Sequence, residues 1–344
     1  MLRNVIVILV VSLITFLLMH AVPGGPFDRE KALPKEIIAN LNAQYHLDEP
    51  LPVQYGRYLY DVLIPRVSTS KPGVSLQDDF LINIKIGEGR WIKWMNFGPS
   101  YKSKSRTVND IFRQQLPVSF QLGVMALLVA MIIGIPLGVL AALKQNTVFD
   151  YLGMSVAIFG VSVPVIVLGP ILVWLFGIQL KWLPPTGWGS KPPYFLGIFP
   201  TTLNWSYFRF AVMPAVALGL GSSAILARLT RASLLQVVRE DYIRTARAKG
   251  VIERTVITRH AMKNSMIPVI TILGPMFAAL VTGTFVTELI FGIPGLGKYF
   301  VSSITNRDYP VIMGTILLYA LILVLANLLV DILYAFLDPR IRYN

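Results

Sequence analysis

Gly292-Ile293-Pro294-Gly295-Leu296-Gly297-Lys298 fits G-x-x-x-x-G-K, the opening of a phosphate-binding loop. Tyr299 follows it, where that chemistry needs a Ser or Thr to ligand magnesium. Such a loop must also leave a strand and open a helix, and this one leaves an apolar run. We therefore expect no nucleotide site here, and any ATP-driven step must come from another chain. Two acids, Glu288 and Asp331, lie inside apolar runs, where an acid is a functional candidate by default. Both stand within about two turns of a run's end, where water is expected to reach them. Glu288, with Pro294 and Gly295 beyond it, is the candidate for a gate or pathway element. There are no cysteines, which excludes disulfides, thiolate catalysis and cysteine zinc sites. His20, His46 and His260 are far apart, and no acid or histidine pair has the spacing of a metal site or proton relay. Asn204-Trp205-Ser206 is a formal glycosylation sequon.

The elements that must carry these residues are apolar. Of 344 residues, 54% are hydrophobic and 14% charged, against about a quarter charged in soluble domains. Six stretches are long enough for roughly 30 Å of hydrocarbon: 5–22, 120–143, 151–178, 210–229, 267–291 and 311–336. The first has a short core and a basic flank like a signal peptide. His20-Ala21-Val22-Pro23 is a poor cleavage site, so we read it as retained. With the N-terminus inside, the inner segments hold Arg3, Lys144, the basic residues of 228–266, Arg340 and Arg342. The short outer loops hold only Lys181, Lys191, Arg209, Lys298 and Arg307, so both termini are expected in the cytoplasm. The same loops account for the net charge of +13 without nucleic acid. Pro136, Pro164, Pro170, Pro214 and Pro275, with Gly219, Gly221, Gly274 and Gly283, break the runs, which suits either close packing or kinked helices lining a path. Residues 23–119 read as an extracytoplasmic segment, with a helix-like stretch near 34–64 and a polar, turn-rich piece around Lys71-Pro72-Gly73.

The loop 230–266 has its own structure. With Arg228 it carries nine Lys/Arg against Glu240, Asp241 and Glu253. Leu235, Val238, Tyr242 and Ala246 recur at helical steps, and Arg244 and Arg247 project away from that stripe. Gly250 falls where a helix would end, and a second helix follows from about Ile252. Periodicity leaves two readings open: a helix docking into another protein's groove, or a basic amphipathic helix on anionic lipid.

Asp241-Tyr242-Ile243-Arg244-Thr245-Ala246-Arg247-Ala248-Lys249-Gly250 resembles the cytoplasmic "EAA" loop of ABC importer permeases, E-A-A-x-x-x-G followed by I-x-L-P. Ala246 and Gly250 match; Arg244 and Thr245 replace the Glu and first Ala, and His260, Met262 and Lys263 replace Ile, Leu and Pro. The oligopeptide/dipeptide/nickel branch departs similarly. Leu47–Tyr55, Phe291–Gly297 and Leu337–Tyr343 look like that branch's segment after the first span, outer loop after the fifth, and tail, most closely in its B-type subunit. Only residues about 64–95 read as an insertion.

The resemblance implies an all-α integral membrane protein. It would have the six transmembrane helices of the type I importer permease fold, with the extracytoplasmic segment between helices 1 and 2. Its parts would be 1–22, 23–119 and a core permease domain, 120–344. It implies a coupling helix at 241–256, with Tyr242, Arg244, Thr245, Ala246, Arg247, Lys249 and Gly250 against an ATPase. The implied partners are a second permease subunit, two ATP-binding subunits and an extracytoplasmic binding protein. ATP and magnesium would sit on those partners, with no cofactor on this chain. Peptide is the implied substrate, nickel the alternative within the family, and an ion-coupled secondary transporter the alternative outside it. The implied location is the cytoplasmic (inner) membrane, multi-pass.

Overall fold

A computed structural model describes residues 2–27, 34–71, 73, 75–87, 89–103, 105–282 and 284–337. Pro72, Gly283 and the tail motif beyond Leu337 lie outside the described residues. In order, the elements are α1 (Leu2–Ala21), α2 (Lys35–Gln44), α3 (Leu51–Leu63), β1 (Arg66–Ser68), β2 (Ile82–Ile86), β3 (Arg90–Trp94) and α4 (Val108–Leu143). Then come α5 (Val148–Ser162), α6 (Val165–Leu172, continued by a π-turn to Gln179), α7 (Trp205–Val237), α8 (Asp241–Ala248) and α9 (Glu253–Thr255). A π-turn (Val256–Ala261) leads into α10 (Met262–Thr282), α11 (Phe285–Ile290), α12 (Gly297–Asn306) and α13 (Tyr309–Leu337).

Among the described residues, four helical runs are long and apolar enough to cross a membrane: Val108–Leu143, Trp205–Val237, Glu253–Ile290 and Tyr309–Tyr334. A fifth is the pair α5 and α6, taken as one run despite a 99° bend between them. The sequence reads 151–178 as one span, with Pro164 and Pro170 among its helix breakers. Pro164 explains the break: it forces Val163 into an extended backbone and caps α6. The first expected span is a shorter apolar helix, Val5–Ala21.

The chain divides into two compact units. One is Met1–Leu116 with Lys298–Leu321; the other is Pro117–Gly297 with Ile322–Asn344. In the first, the helix-like stretch 34–64 is two helices, α2 and α3. The piece expected to be turn-rich contains an antiparallel sheet of order β1-β3-β2. Val67, Ile92 and Ile84 are cross-strand partners and share one sheet face. Lys93 points to the other face, 1% exposed, where its Nζ donates to Asp78 Oδ2 at 2.5 Å and Ser70 Oγ at 2.8 Å. A buried ammonium must be paired in this way.

In the second unit, α4 and α7 approach to backbone contact. A Cβ on Gly134 would meet Ser223 O at 2.4 Å, and one on Gly138 would meet Ala227 O at 2.5 Å. Arg231 grips Asp150 with two parallel bonds, Nε to Oδ1 at 2.7 Å and Nη2 to Oδ2 at 2.6 Å. That pair fastens the start of α5 to α7. The sequon asparagine works as a helix cap: Asn204 Oδ1 accepts from Tyr207 N at 3.1 Å and starts α7.

Candidate functional site

The basic loop folds as a corner. Helix α7 ends at Val237, the chain turns through Val238–Glu240, and α8 runs for eight residues. Its inward face is Ile243, fully buried, and Ala246; Tyr242 is 42% exposed. Three members of the stripe expected from the sequence, Leu235, Val238 and Ala246, pack in one cluster, and Ile243 takes the place of Tyr242 as the anchor. The break at Arg239–Glu240 resets the helical phase, which a continuous 3.6-residue count cannot see. Ile243 and Ala246 pack with Ala142 of α4, Leu234 of α7, and Val256, Ile257 and Ala261 of the π-turn. The short helix is therefore set on α4, α7 and the π-turn.

Its outward face carries the remaining candidates. Arg244 is 71% exposed and reaches Asp241 only at 3.5 Å. Arg247 forks onto Glu253, Nη2 to Oε1 at 2.8 Å and Nε to Oε2 at 3.1 Å, joining α8 to α9. Glu253 holds the Arg247 guanidinium above its usual range. Thr245 turns its hydroxyl back to Asp241 O at 2.9 Å, and Tyr242 OH accepts from Asn264 Nδ2 at 2.7 Å. Lys249 is exposed. Gly250 has φ +74° with open space around it, the left-handed residue that ends a helix. An open recess lined by Arg239, Glu240, Asp241 and Arg244 lies at the corner. The arrangement is a rigidly seated, mostly basic knob presented outward, which can engage a partner but holds no catalytic pair.

The second candidate cluster is buried. Glu288 is 2% exposed, not water-washed as the run's end suggests. Its Oε1 accepts from Ser119 Oγ at 2.6 Å and Thr284 Oγ1 at 2.5 Å, and its Oε2 from Gly297 N at 2.9 Å. Ser119 Oγ also accepts from Leu296 N at 2.7 Å. One carboxylate thus joins α4, α11 and the start of α12 through the loop 291–296. Gly295 closes the arrangement, since a Cβ there would stand 2.1 Å from Glu288 Oε1. The structure brings Glu288 and Gly295 together and leaves Pro294 exposed at the loop's surface. Sequence reasoning missed Ser119 and Thr284; a hydroxyl four residues before an acid (Thr284 and Glu288) was the available signal. The P-loop-like run follows helix α11, with no strand before it, and its last glycine opens α12. Asp331 is exposed.

The family model described as binding-protein-dependent transport system inner membrane component matches residues 134–343, and its N-terminal companion matches 1–76. The chain is 42% identical over 337 residues to the dipeptide transport system permease protein of Bacillus subtilis, covering 98% of this chain and 94% of that one. It is 40% identical over 330 residues to the oligopeptide transport system permease protein of Salmonella typhimurium, covering 96% and 93%. Among solved structures, the inward-facing MetNI methionine ABC transporter matches at TM-score 0.50 and 13% identity, over 65% of this chain and 94% of that chain. That likeness concerns the fold.

Proposed function

This chain belongs to the inner-membrane component family of binding-protein-dependent transport systems, and from that premise we propose that it carries peptides across the cytoplasmic membrane as one of two permease subunits. Near-full-length similarity to dipeptide and oligopeptide permeases is the observation that carries this reading. Two ATP-binding subunits drive transport, and an extracytoplasmic binding protein delivers substrate. Helix α8 is the coupling element. Tyr242, Arg244, Thr245, Arg247 and Lys249 face the ATPase, Ala246 holds the helix to the bundle, and Gly250 ends it. Because Ile243 and Ala246 share one cluster with α4, α7 and the π-turn, a push on α8 is delivered to all three. Glu288, Gly295 and Pro294 form the outer gate element, with Glu288 fixing the loop.

The five long apolar runs and helix α1 together make six spans, with both termini in the cytoplasm and residues 23–119 outside. Alternation between inward- and outward-facing states needs only a gap of a few kcal/mol that ATP and substrate can bias.

The test is to purify the tagged chain in mild detergent, identify what accompanies it by mass spectrometry, and assay ATP hydrolysis and peptide uptake after reconstitution. Accompanying ATPases and peptide-stimulated hydrolysis are the expected result. A lone chain without ATPase, or uptake driven by an ion gradient, overturns it. Hydrolysis stimulated by nickel and not by peptide reassigns the substrate.

A further inference from the structure

Helix α8 is seated on α4, α7 and the π-turn, and among the described residues no member of that cluster belongs to α5. Helix α5 is held nearby by Asp150. Its carboxylate accepts both bonds of the Arg231 fork, and its Oδ2 also accepts from Asn146 N at 3.0 Å. The Asp150 side chain is 4% exposed and that of Arg231 27%. Arg231 stands three residues before Leu234 on α7, and Asn146 lies in the turn that leaves α4 just after Ala142. Leu234 and Ala142 are two of the residues on which Ile243 and Ala246 rest. The ion pair thus sits about one helical turn from the α8 seat along α7.

The far end of the same bent pair reaches the other candidate site. Beyond the bend at Pro164, a Cβ on Gly169 of α6 would stand 3.1 Å from Ile290 Cγ2 and 3.5 Å from Phe291 Cε2. Helix α6 therefore lies hard against the end of α11. Val165, Leu172 and Phe176 pack on the cluster that holds Phe291 and Ile293. In the chain after α6, Gly187 N donates to Phe291 O at 2.7 Å. Ile293 N in turn donates to Glu288 O at 2.8 Å. One end of α5–α6 thus stands beside the α8 seat, and the other touches the loop that Glu288 clasps.

We propose that the bent pair α5–α6 carries the motion of α8 to the outer loop, with Asp150 and Arg231 pinning its inner end and Gly169 seating its outer end. The inference rests on the transport reading, since it needs an ATPase acting on α8. Asp150 and Arg231 are positioning residues and touch no substrate. A bidentate fork fixes orientation as well as distance, so α5 turns when α7 turns. A buried pair that loses one partner leaves an uncompensated charge, so the pin holds through the cycle instead of yielding by degrees. Packed elements in unbroken contact are the physical route by which separated sites bias one another.

The test uses the reconstituted assembly with its ATP-binding subunits and binding protein, and reads peptide taken up per ATP hydrolysed. Asp150→Asn and Gly169→Val should each lower that ratio at least about fivefold while ATP hydrolysis continues. Gly169→Ala, which asks Ile290 to give by only a few tenths of an ångström, should fall between Gly169→Val and wild type. Because both sites lie on one route, the double variant should be no worse than the poorer single one. The charge exchange, Asp150→Arg with Arg231→Asp, should recover part of the ratio that either half loses alone. Where Asp150→Asn lowers the melting midpoint, Arg231→Lys keeps the charge, loses the fork and carries the same comparison. Ratios within about twofold of wild type in the folded variants overturn the proposal and leave the pair a structural anchor. Losses that multiply in the double variant overturn it too, since they put the two sites on separate routes. A wild-type assembly without ATP-driven peptide uptake is a different failure: it overturns the transport reading, and the lever with it.

Discussion

Helix α8 and the loop that follows α11 both rest on charge, and they use it in opposite ways. On α8 the charges point outward and pair within the loop's own short sequence, Arg244 with Asp241 and Arg247 with Glu253. Apolar Ile243 and Ala246 do the anchoring. At Glu288 the charge is the anchor: it is buried, and its donors come from positions 119, 284 and 297. Exposed pairs of the first kind contribute about 0–1 kcal/mol. A buried acceptor whose removal strands several donors is worth several times that. One region displays its charge, the other holds with it.

The sharpest way to break this contrast is Glu288→Ala. It leaves Ser119, Thr284 and the Gly297 amide without their acceptor, and we expect a loss of roughly 3–4 kcal/mol in denaturant unfolding of the detergent-solubilised chain. A loss under 1 kcal/mol would mean that water already shares the site. Gly295→Ala comes next, at about 2–3 kcal/mol from overpacking against the carboxylate. A double-mutant cycle sharpens it: with Glu288→Ala present, Gly295→Ala should cost less than about 1 kcal/mol, because the group it strikes is gone. Additive losses would place the clash elsewhere. Gly250→Ala should cost about 1–2 kcal/mol, from the left-handed backbone alone, since nothing lies within 4 Å of the added carbon. Finally, Arg244→Glu with Lys249→Glu should change stability by less than about 0.5 kcal/mol while abolishing peptide-stimulated ATP hydrolysis in the reconstituted assembly. Normal hydrolysis in that variant would return α8 to a lipid-surface role. Ala246→Glu would test the same idea less cleanly, since Ala246 is 8% exposed and packed in the anchoring cluster.

Much of this is legible in the sequence. Long apolar runs predict long helices because the bilayer leaves the backbone no other way to satisfy itself. Gly250 announced the end of α8 because few residues tolerate its backbone angle. Other features were hidden for identifiable reasons. The sheet lay in a stretch broken by Pro72, Gly73, Gly87 and Gly89, although Ile82, Ile84 and Ile86 alternate as a strand should. The burial of Glu288 could not be read locally, because Ser119 stands 169 positions away. The 99° bend at Pro164 leaves hydropathy unchanged, so a window average passes straight over it.

The Ser119 hydroxyl has one further consequence. It donates to Glu288 and accepts from Leu296 N, while Gly297 N is held by the same carboxylate. Leu296 N sits in irregular chain and Gly297 N at the first position of α12, where amides have no partner within the helix and exchange with deuterium is ordinarily fast. Here neither can meet solvent until the whole clasp opens, so their exchange clocks record how often the loop lets go. A protein cycling under ATP should therefore show these two protons exchanging in step with each other and with turnover, while the interior of α7 stays dark.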